Sequence, residues 1–80
     1  MDDTAILKEI NRLVEEEHRL ESEAVGHGAD NPAHAQLQSL EATLDQCWDL
    51  LRQRRARRHA GQDPDNVTVR DPATVERYLQ

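Results

Sequence analysis

Apolar residues recur along the first part of the chain at alternating spacings of four and three. One face of this stretch carries Ile6, Ile10, Leu13, Leu20 and Ala24, with Leu7 and Val14 beside it. Such spacing is typical of an α-helix that packs along a second helix. The acidic start, Asp2 to Thr4, offers N-cap residues whose charge suits the positive end of the helix dipole. The pattern predicts a first helix over about residues 3–24.

A second stretch repeats the same spacing. Its apolar stripe consists of Ala33, Leu37, Leu40, Leu44, Cys47 and Leu51, with Trp48 at the flank. The intervening segment "VGHGADNP" holds two glycines and a turn signal. Asn31 followed by Pro32 is a typical N-cap and first helical residue, and Gly61 is a natural stop. These signals predict a second helix over about residues 32–58.

A short loop between two striped helices favours an antiparallel hairpin. In the register that places Ala24 near Ala33, the facing pairs are Leu20 with Leu37, Leu13 with Leu44, Ile10 with Cys47 and Ile6 with Leu51. Each of these layers matches one apolar residue with another. The predicted fold class is therefore all-α, a coiled-coil-like antiparallel two-helix hairpin with a loop and a short C-terminal helix. We expect this hairpin to dimerise into a four-helix bundle.

The last twenty residues, "GQDPDNVTVRDPATVERYLQ", begin as a loop. The segment "NVTVR" alternates like a strand, but no second strand is available to pair with it. Asp71 followed by Pro72 repeats the start signal, which predicts a short helix over about residues 72–79. Its Val75, Tyr78 and Leu79 share one face and are expected to dock on the hairpin. The whole chain, residues 1–80, is predicted to form one domain.

The composition indicates what kind of core the chain can form and which cellular compartment it fits. The chain has 80 residues and no Phe, so its core is aliphatic, and a core this small usually needs a staple or a partner chain. Cys47 is the single cysteine, which excludes an internal disulfide and fits a reducing compartment. The first residues are acidic and no stretch is long and apolar enough for a signal segment or a membrane span. We expect a soluble, cytoplasmic protein.

The net charge of −6 is unevenly distributed, because residues 52–58 carry five positive charges. This arginine segment consists of Arg52, Arg54, Arg55, Arg57 and Arg58. By helical geometry we expect Arg55 and Arg58 to continue the apolar stripe, with Arg54 at its edge. The simplest interpretation is local: the arginines offset the negative end of the second helix and pair with Asp2 and Asp3.

Two acids of the first helix support a further hypothesis. Glu17 lies in the apolar stripe and Glu21 on the same face, where a carboxylate needs a partner or solvent. A second hairpin, antiparallel and offset, would bring Arg55 or Arg58 to these acids. Alternatively, the Glu17 side chain simply reaches water near the loop end.

Other candidate chemistry is weak. Glu15 and His18 have the spacing found in di-iron bundles, yet they cannot both point into the core, because Glu15 lies nearly opposite the apolar stripe and His18 lies at its flank. Cys47 has no obvious base nearby and is expected to be a structural thiol. Asp45 and Asp49 flank Trp48 on what the pattern makes an outer, solvated face. We therefore expect no enzyme, no metal site and no cofactor.

Several stretches together resemble a known group of proteins. These are "ILKEINRLVEEEH" near the start, "LDQCWDLLRQRRARR" over residues 44–58, "DPD" over residues 63–65 and the ending "VERYLQ". They resemble short actinobacterial proteins catalogued only as a domain of unknown function, and the resemblance covers the whole chain. It implies a cytoplasmic, stand-alone protein of this length and implies no activity.

The functional expectation is a helical protein–protein interaction or assembly module that forms a homodimer and docks on a larger protein. The candidate interaction residues are Trp48, Glu17, Glu21 and the arginine segment. The alternative is a binder of an anionic ligand, nucleic acid or nucleotide, through the arginine segment. A metal-binding half-bundle built on Glu15 and His18 is a weaker alternative.

Overall fold

A computed structural model describes residues 2–25 and 31–79. It contains two long helices, α1 (Asp3–Ala24) and α2 (Pro32–His59), a 3-10 turn (Pro64–Asn66) and a short helix, α3 (Pro72–Leu79). Within these two ranges there is no β-strand. The predicted all-α fold class, with two long helices and a short C-terminal one, is confirmed.

Side-chain caps fix where the long helices begin. The Asp2 Oδ1 atom accepts a hydrogen bond of 2.8 Å from the Ala5 amide. The Asn31 Oδ1 atom accepts one of 2.9 Å from the Ala33 amide, and Pro32 occupies the first helical position. Each cap satisfies an amide that has no partner within the helix, so the polar residues before each apolar stripe set the helix start.

The C-terminal end of α2 is closed by a glycine turn. Gly61 has a φ of 72°, a left-handed conformation that side chains other than glycine rarely adopt. The Gln62 amide donates to the Arg57 carbonyl at 2.8 Å and the Gly61 amide to the Arg58 carbonyl at 3.1 Å. This pair of bonds is a Schellman motif, which ends the helix and turns the chain back.

The hairpin is antiparallel. At the open end of the hairpin an ion pair connects the two helices: the Arg54 Nε atom of α2 lies 2.6 Å from the Asp3 Oδ1 atom of α1. At the loop end, the Asn31 Nδ2 atom donates to the Glu23 carbonyl at 3.3 Å. If Asp3 lies level with Arg54, equal steps along the two helices bring Ile10 level with Cys47, the register expected from the sequence. The buried core cluster comprises Ile6, Ile10, Leu13, Leu44, Leu50 and Leu51.

The tail runs back along one side of α2. The Gln53 amide group donates to the Thr68 carbonyl at 3.1 Å, and that of Gln46 donates to the Arg70 carbonyl at 3.0 Å. Val67 packs against the core cluster and Val75 of α3 is fully buried. The side chains of Tyr78 and Leu79, also expected to dock, lie outside the described residues.

A buried ion pair fastens this tail to α2. Asp49 is fully buried, and its Oδ2 atom accepts from the Arg70 Nε atom at 2.8 Å and from the Gln53 Nε2 atom at 3.0 Å. A second hydrogen bond joins the Arg70 Nη2 atom to the Asp49 Oδ1 atom. The expectation that Asp49 is solvated was wrong, because the tail covers this face of α2. Asp45, one turn earlier, is partly exposed.

We predict that Asp49→Asn lowers the free energy of unfolding by about 2 kcal/mol, because it removes the charge from a buried hydrogen-bonded pair. Urea denaturation followed by circular dichroism measures this change. Asp45→Asn is the matched control and should stay within about 0.5 kcal/mol of the wild type. Equal effects of the two variants would contradict the structural role given to Asp49.

Candidate interaction surfaces

Arg54 is part of the folded interior. It is 6% exposed, and besides Asp3 it contacts the tail. Its Nη1 atom lies 2.8 Å from the Asp65 Oδ1 atom and donates to the Pro64 carbonyl at 3.2 Å. One guanidinium group therefore joins α1, α2 and the 3-10 turn. Its Nε and Nη1 donors are taken up within the chain, and its burial leaves little of it accessible to an external anion.

Arg58 also binds Asp3. The Arg58 Nη2 atom lies 2.7 Å from the Asp3 Oδ2 atom. The hydrogen bonds from Arg58 and then from Arg54 hold the pKa of Asp3 below its ordinary value of 3.8. The predicted pairing of the arginine segment with α1 thus occurs at Asp3. Asp2 serves instead as the N-cap of α1.

The expected order of the arginines on the helix was wrong. Arg54 occupies the buried position, whereas Arg55 is exposed. The alternation of four and three that leads through Leu51 continues to Arg54 and then to Arg58, so the spacing itself contained this result. The predicted stripe instead continued from Leu51 by a step of four to Arg55, which left Arg54 at its edge.

The remaining arginines differ in their surroundings. The Arg52 Nη2 atom lies 3.5 Å from the Asp49 Oδ1 atom, and the Arg57 Nη1 atom donates to the Gln62 Oε1 atom at 2.9 Å. Arg55 has no ion-pair or hydrogen-bond partner among the described residues. The arginine segment is thus not one free basic patch, since most of its members bind groups of the chain itself.

An apolar face lies on the side of the hairpin away from the tail. A cavity on the tail side is lined in part by Glu9, Gln46 and Val69. Leu7 is two residues from Glu9 on α1, and Trp48 is two residues from Gln46 on α2. Because two residues correspond to a rotation of about 200°, each of these side chains points to nearly the opposite side of its helix from the cavity-lining residue. Both side chains therefore turn away from the tail, and each is 44% exposed.

Charged residues stand at the two ends of this face. On α2, Glu41, Trp48 and Arg55 follow one another at intervals of seven, so they lie along one line of the helix. On α1, Leu7 and Val14 have the same interval. Val14 is half-buried against the core cluster. We call this surface the Trp48 face and define it by Leu7, Val14, Glu41, Trp48 and Arg55.

Glu17 and Glu21 differ from one another. Glu17 is half-buried in the seam, and no ion pair of it occurs in the described part of the chain. Glu21 is exposed, and its Oε2 atom lies 4.0 Å from the His18 Nδ1 atom. Neither acid contacts the arginine segment of its own chain, which lies at the other end of the hairpin.

Cys47 lies within the hairpin on the tail side. It is half-buried and lines an apolar cavity of about 150 Å³ together with Ile6, Leu50 and Val69. Burial raises the pKa of the Cys47 thiol, and the negative charge of Glu9 raises it further. Because the thiolate is the nucleophilic form, this environment disfavours reactivity.

The two residues considered as metal ligands, Glu15 and His18, are not brought together with further ligands within the part of the chain that the structure describes. Glu15 and His18 are both exposed on α1. In residues 2–25 and 31–79 no three residues of the types His, Cys, Asp and Glu are arranged to hold a metal ion. None of the helices in these ranges has the length and apolar composition needed to cross a bilayer.

Comparison with known proteins finds a match to a family whose function is unknown. The model of a family described as a protein of unknown function, DUF2630, matches residues 2–80. Uncharacterized proteins of Mycobacterium bovis and of two strains of Mycobacterium tuberculosis are 45% identical to the chain over 78 residues, covering 95% of this chain and 88% of theirs. No solved structure matches the chain significantly.

The ion pairs predict how stability depends on pH. The pKa values of Asp3 and Asp49 both lie below 3.8 in the folded protein, mainly because of hydrogen bonds from Arg58 and from Arg70. Their stabilising contribution is complete above the pKa of the unfolded chain and is lost as the pH falls through the lower folded values. Thermal unfolding from about pH 7 down to about pH 2 should show stability declining below about pH 4. An equally steep decline in the double variant Asp3→Asn/Asp49→Asn would contradict this origin.

Proposed function

The chain belongs to the DUF2630 family of proteins of unknown function, and we propose that it acts as a non-catalytic interaction module of the cytoplasm. The module assembles with a second copy of itself through the Trp48 face. The observation that carries this proposal is the exposure of Leu7 and Trp48 on the side of the hairpin that the tail leaves uncovered.

The composition of the Trp48 face supports association. Two large side chains, Leu7 and Trp48, each 44% exposed, share this face with the half-buried Val14. Tryptophan is enriched at the centres of protein interfaces, where its removal often costs the most binding energy. A surface tryptophan grouped with aliphatic neighbours is more typical of a contact surface than of a freely solvated one.

The size of the chain supports the same conclusion. A single aliphatic core in 80 residues supplies little net stability, and the single cysteine excludes a disulfide within the chain. Part of the stability already comes from ion pairs such as Asp49 with Arg70. Packing a second copy on the Trp48 face would bury further apolar area, which is how many small helical domains become stable.

Binding of an anionic ligand by the arginine segment is less well supported. Arg54 is buried with Asp3 and Asp65 around it, and Arg58 is bound to Asp3 as well. A phosphate would have to compete with these carboxylates, and the net charge of the chain is −6. We therefore assign the basic residues mainly a structural role.

We predict that Leu7→Ser and Trp48→Ser each weaken self-association at least about tenfold, because each removes a large apolar side chain from the interface. Analytical ultracentrifugation over a concentration series measures the dissociation constant. Val25→Ser is the control: Val25 is 76% exposed but lies at the end of α1, beyond the Trp48 face. Circular dichroism verifies that each variant remains helical.

The proposal is wrong if the wild type sediments as a monomer at every concentration up to the millimolar range. It is also wrong if the wild type dimerises and Trp48→Ser has no more effect than Val25→Ser.

A further inference from the structure

We infer that two copies pack antiparallel through their Trp48 faces, with a two-fold axis beside Trp48 and with Arg55 of each copy against Glu41 of the other. This inference rests on the proposed function, since it specifies the orientation and the ion pairs of that association. The four long helices of the dimer form the bundle.

The spacing on α2 fits this arrangement. Glu41 and Arg55 lie seven residues before and seven residues after Trp48, about 10.5 Å in either direction along the helix. A two-fold axis perpendicular to the helix at Trp48 exchanges the two directions. It therefore sets Trp48 against Trp48 of the second copy and Arg55 against Glu41, once on each side of the axis.

The spacing on α1 gives nearly the same axis independently. A two-fold axis that crosses α1 midway between Leu7 and Val14 would set Leu7 of one copy against Val14 of the other. This midpoint lies between Ile10 and Asn11. In the hairpin register fixed by the Asp3–Arg54 ion pair, this point is level with Gln46 and Cys47, about 2 Å along the helix from Trp48. Leu7 of each copy then packs on Val14 of the other, so one axis satisfies both helices.

The charges favour this orientation over the parallel one. Glu41 and Arg55 are exposed, and neither has a partner within the described residues. A parallel dimer would bring the Glu41 ends of both copies together, where Glu21 adds further negative charge. The antiparallel dimer instead places the basic end of each copy over the acidic end of the other.

The structure changes the ion pairs that the sequence suggested. Arg58 is bound to Asp3 within its own chain, and Glu17 is half-buried in the seam between α1 and α2. Of the residues considered for a cross-chain pair, Arg55 remains available. Its counterpart on the same line of α2 is Glu41, in place of the α1 acids Glu17 and Glu21 of the sequence hypothesis.

Charge reversal in separate and mixed samples tests the inference. In a dimer of Arg55→Glu each new acid faces Glu41 of the other copy, and in a dimer of Glu41→Arg each new base faces Arg55 of the other copy. Each variant alone therefore has two like-charge pairs and should dimerise at least about tenfold more weakly than the wild type at low salt. When the two variants are mixed in equal amounts, both cross-chain pairs are complementary again. A heterodimer with an affinity close to that of the wild type should form. Arg57→Glu, the same charge change on another side of α2, is the matched control and should not respond to mixing.

Sedimentation of the single and mixed samples gives distinct outcomes. Recovery of association only in the mixture of Arg55→Glu with Glu41→Arg supports the antiparallel dimer. Dimers that persist unchanged in both single variants, or mixtures that associate no better than the variants alone, overturn the inferred geometry while the proposed function stands. A wild type that remains monomeric overturns the proposed function itself.

Discussion

The guanidinium group of Arg54 holds the open end of the hairpin together and the rest of the fold depends on this contact. It binds Asp3 at the start of α1 and Asp65 in the turn that follows α2. Three segments thereby meet at one buried side chain, whose planar donors suit several acceptors at once. The contact agrees with the register that the apolar stripes favour, and it joins the start of the tail to α2.

That path decides which surfaces remain available. The tail covers the side of α2 that carries Asp49, and Arg70 fastens it there. Leu7 and Trp48 lie outside the surface that the tail covers, and they remain exposed. In a chain with so small a core, we propose that this uncovered apolar face, which lies between a basic and an acidic end, binds another molecule, and its symmetry of spacing fits a second copy of the chain.

The sequence predicted those features that depend on neighbouring residues. Cap residues such as Asn31 and the glycine at position 61 set the helix ends, and the apolar repeat set the hairpin. It did not predict the burial of Asp49, because this depends on where a tail without apolar periodicity lies. Arg54 was misassigned to the edge of the stripe although the four-three spacing leads to it, and its partners Asp3 and Asp65 are recognisable only in the folded chain. From the sequence, Trp48 was placed at the flank of the stripe and named as a candidate interaction residue, but which side of the hairpin the tail leaves open depends on the path of the tail.

The relative direction of two associated copies is the most direct test. Nitroxide labels at Asn11 or at Ser22, both exposed on α1, in a Cys47→Ser background allow distances between copies to be measured by double electron–electron resonance. Asn11 lies beside the inferred axis, so its labels should be less than about 20 Å apart. Ser22 lies far from the axis, and its labels should be about 35 Å apart. Short distances at both positions would show parallel copies and contradict the account, as would the absence of any dipolar coupling between copies.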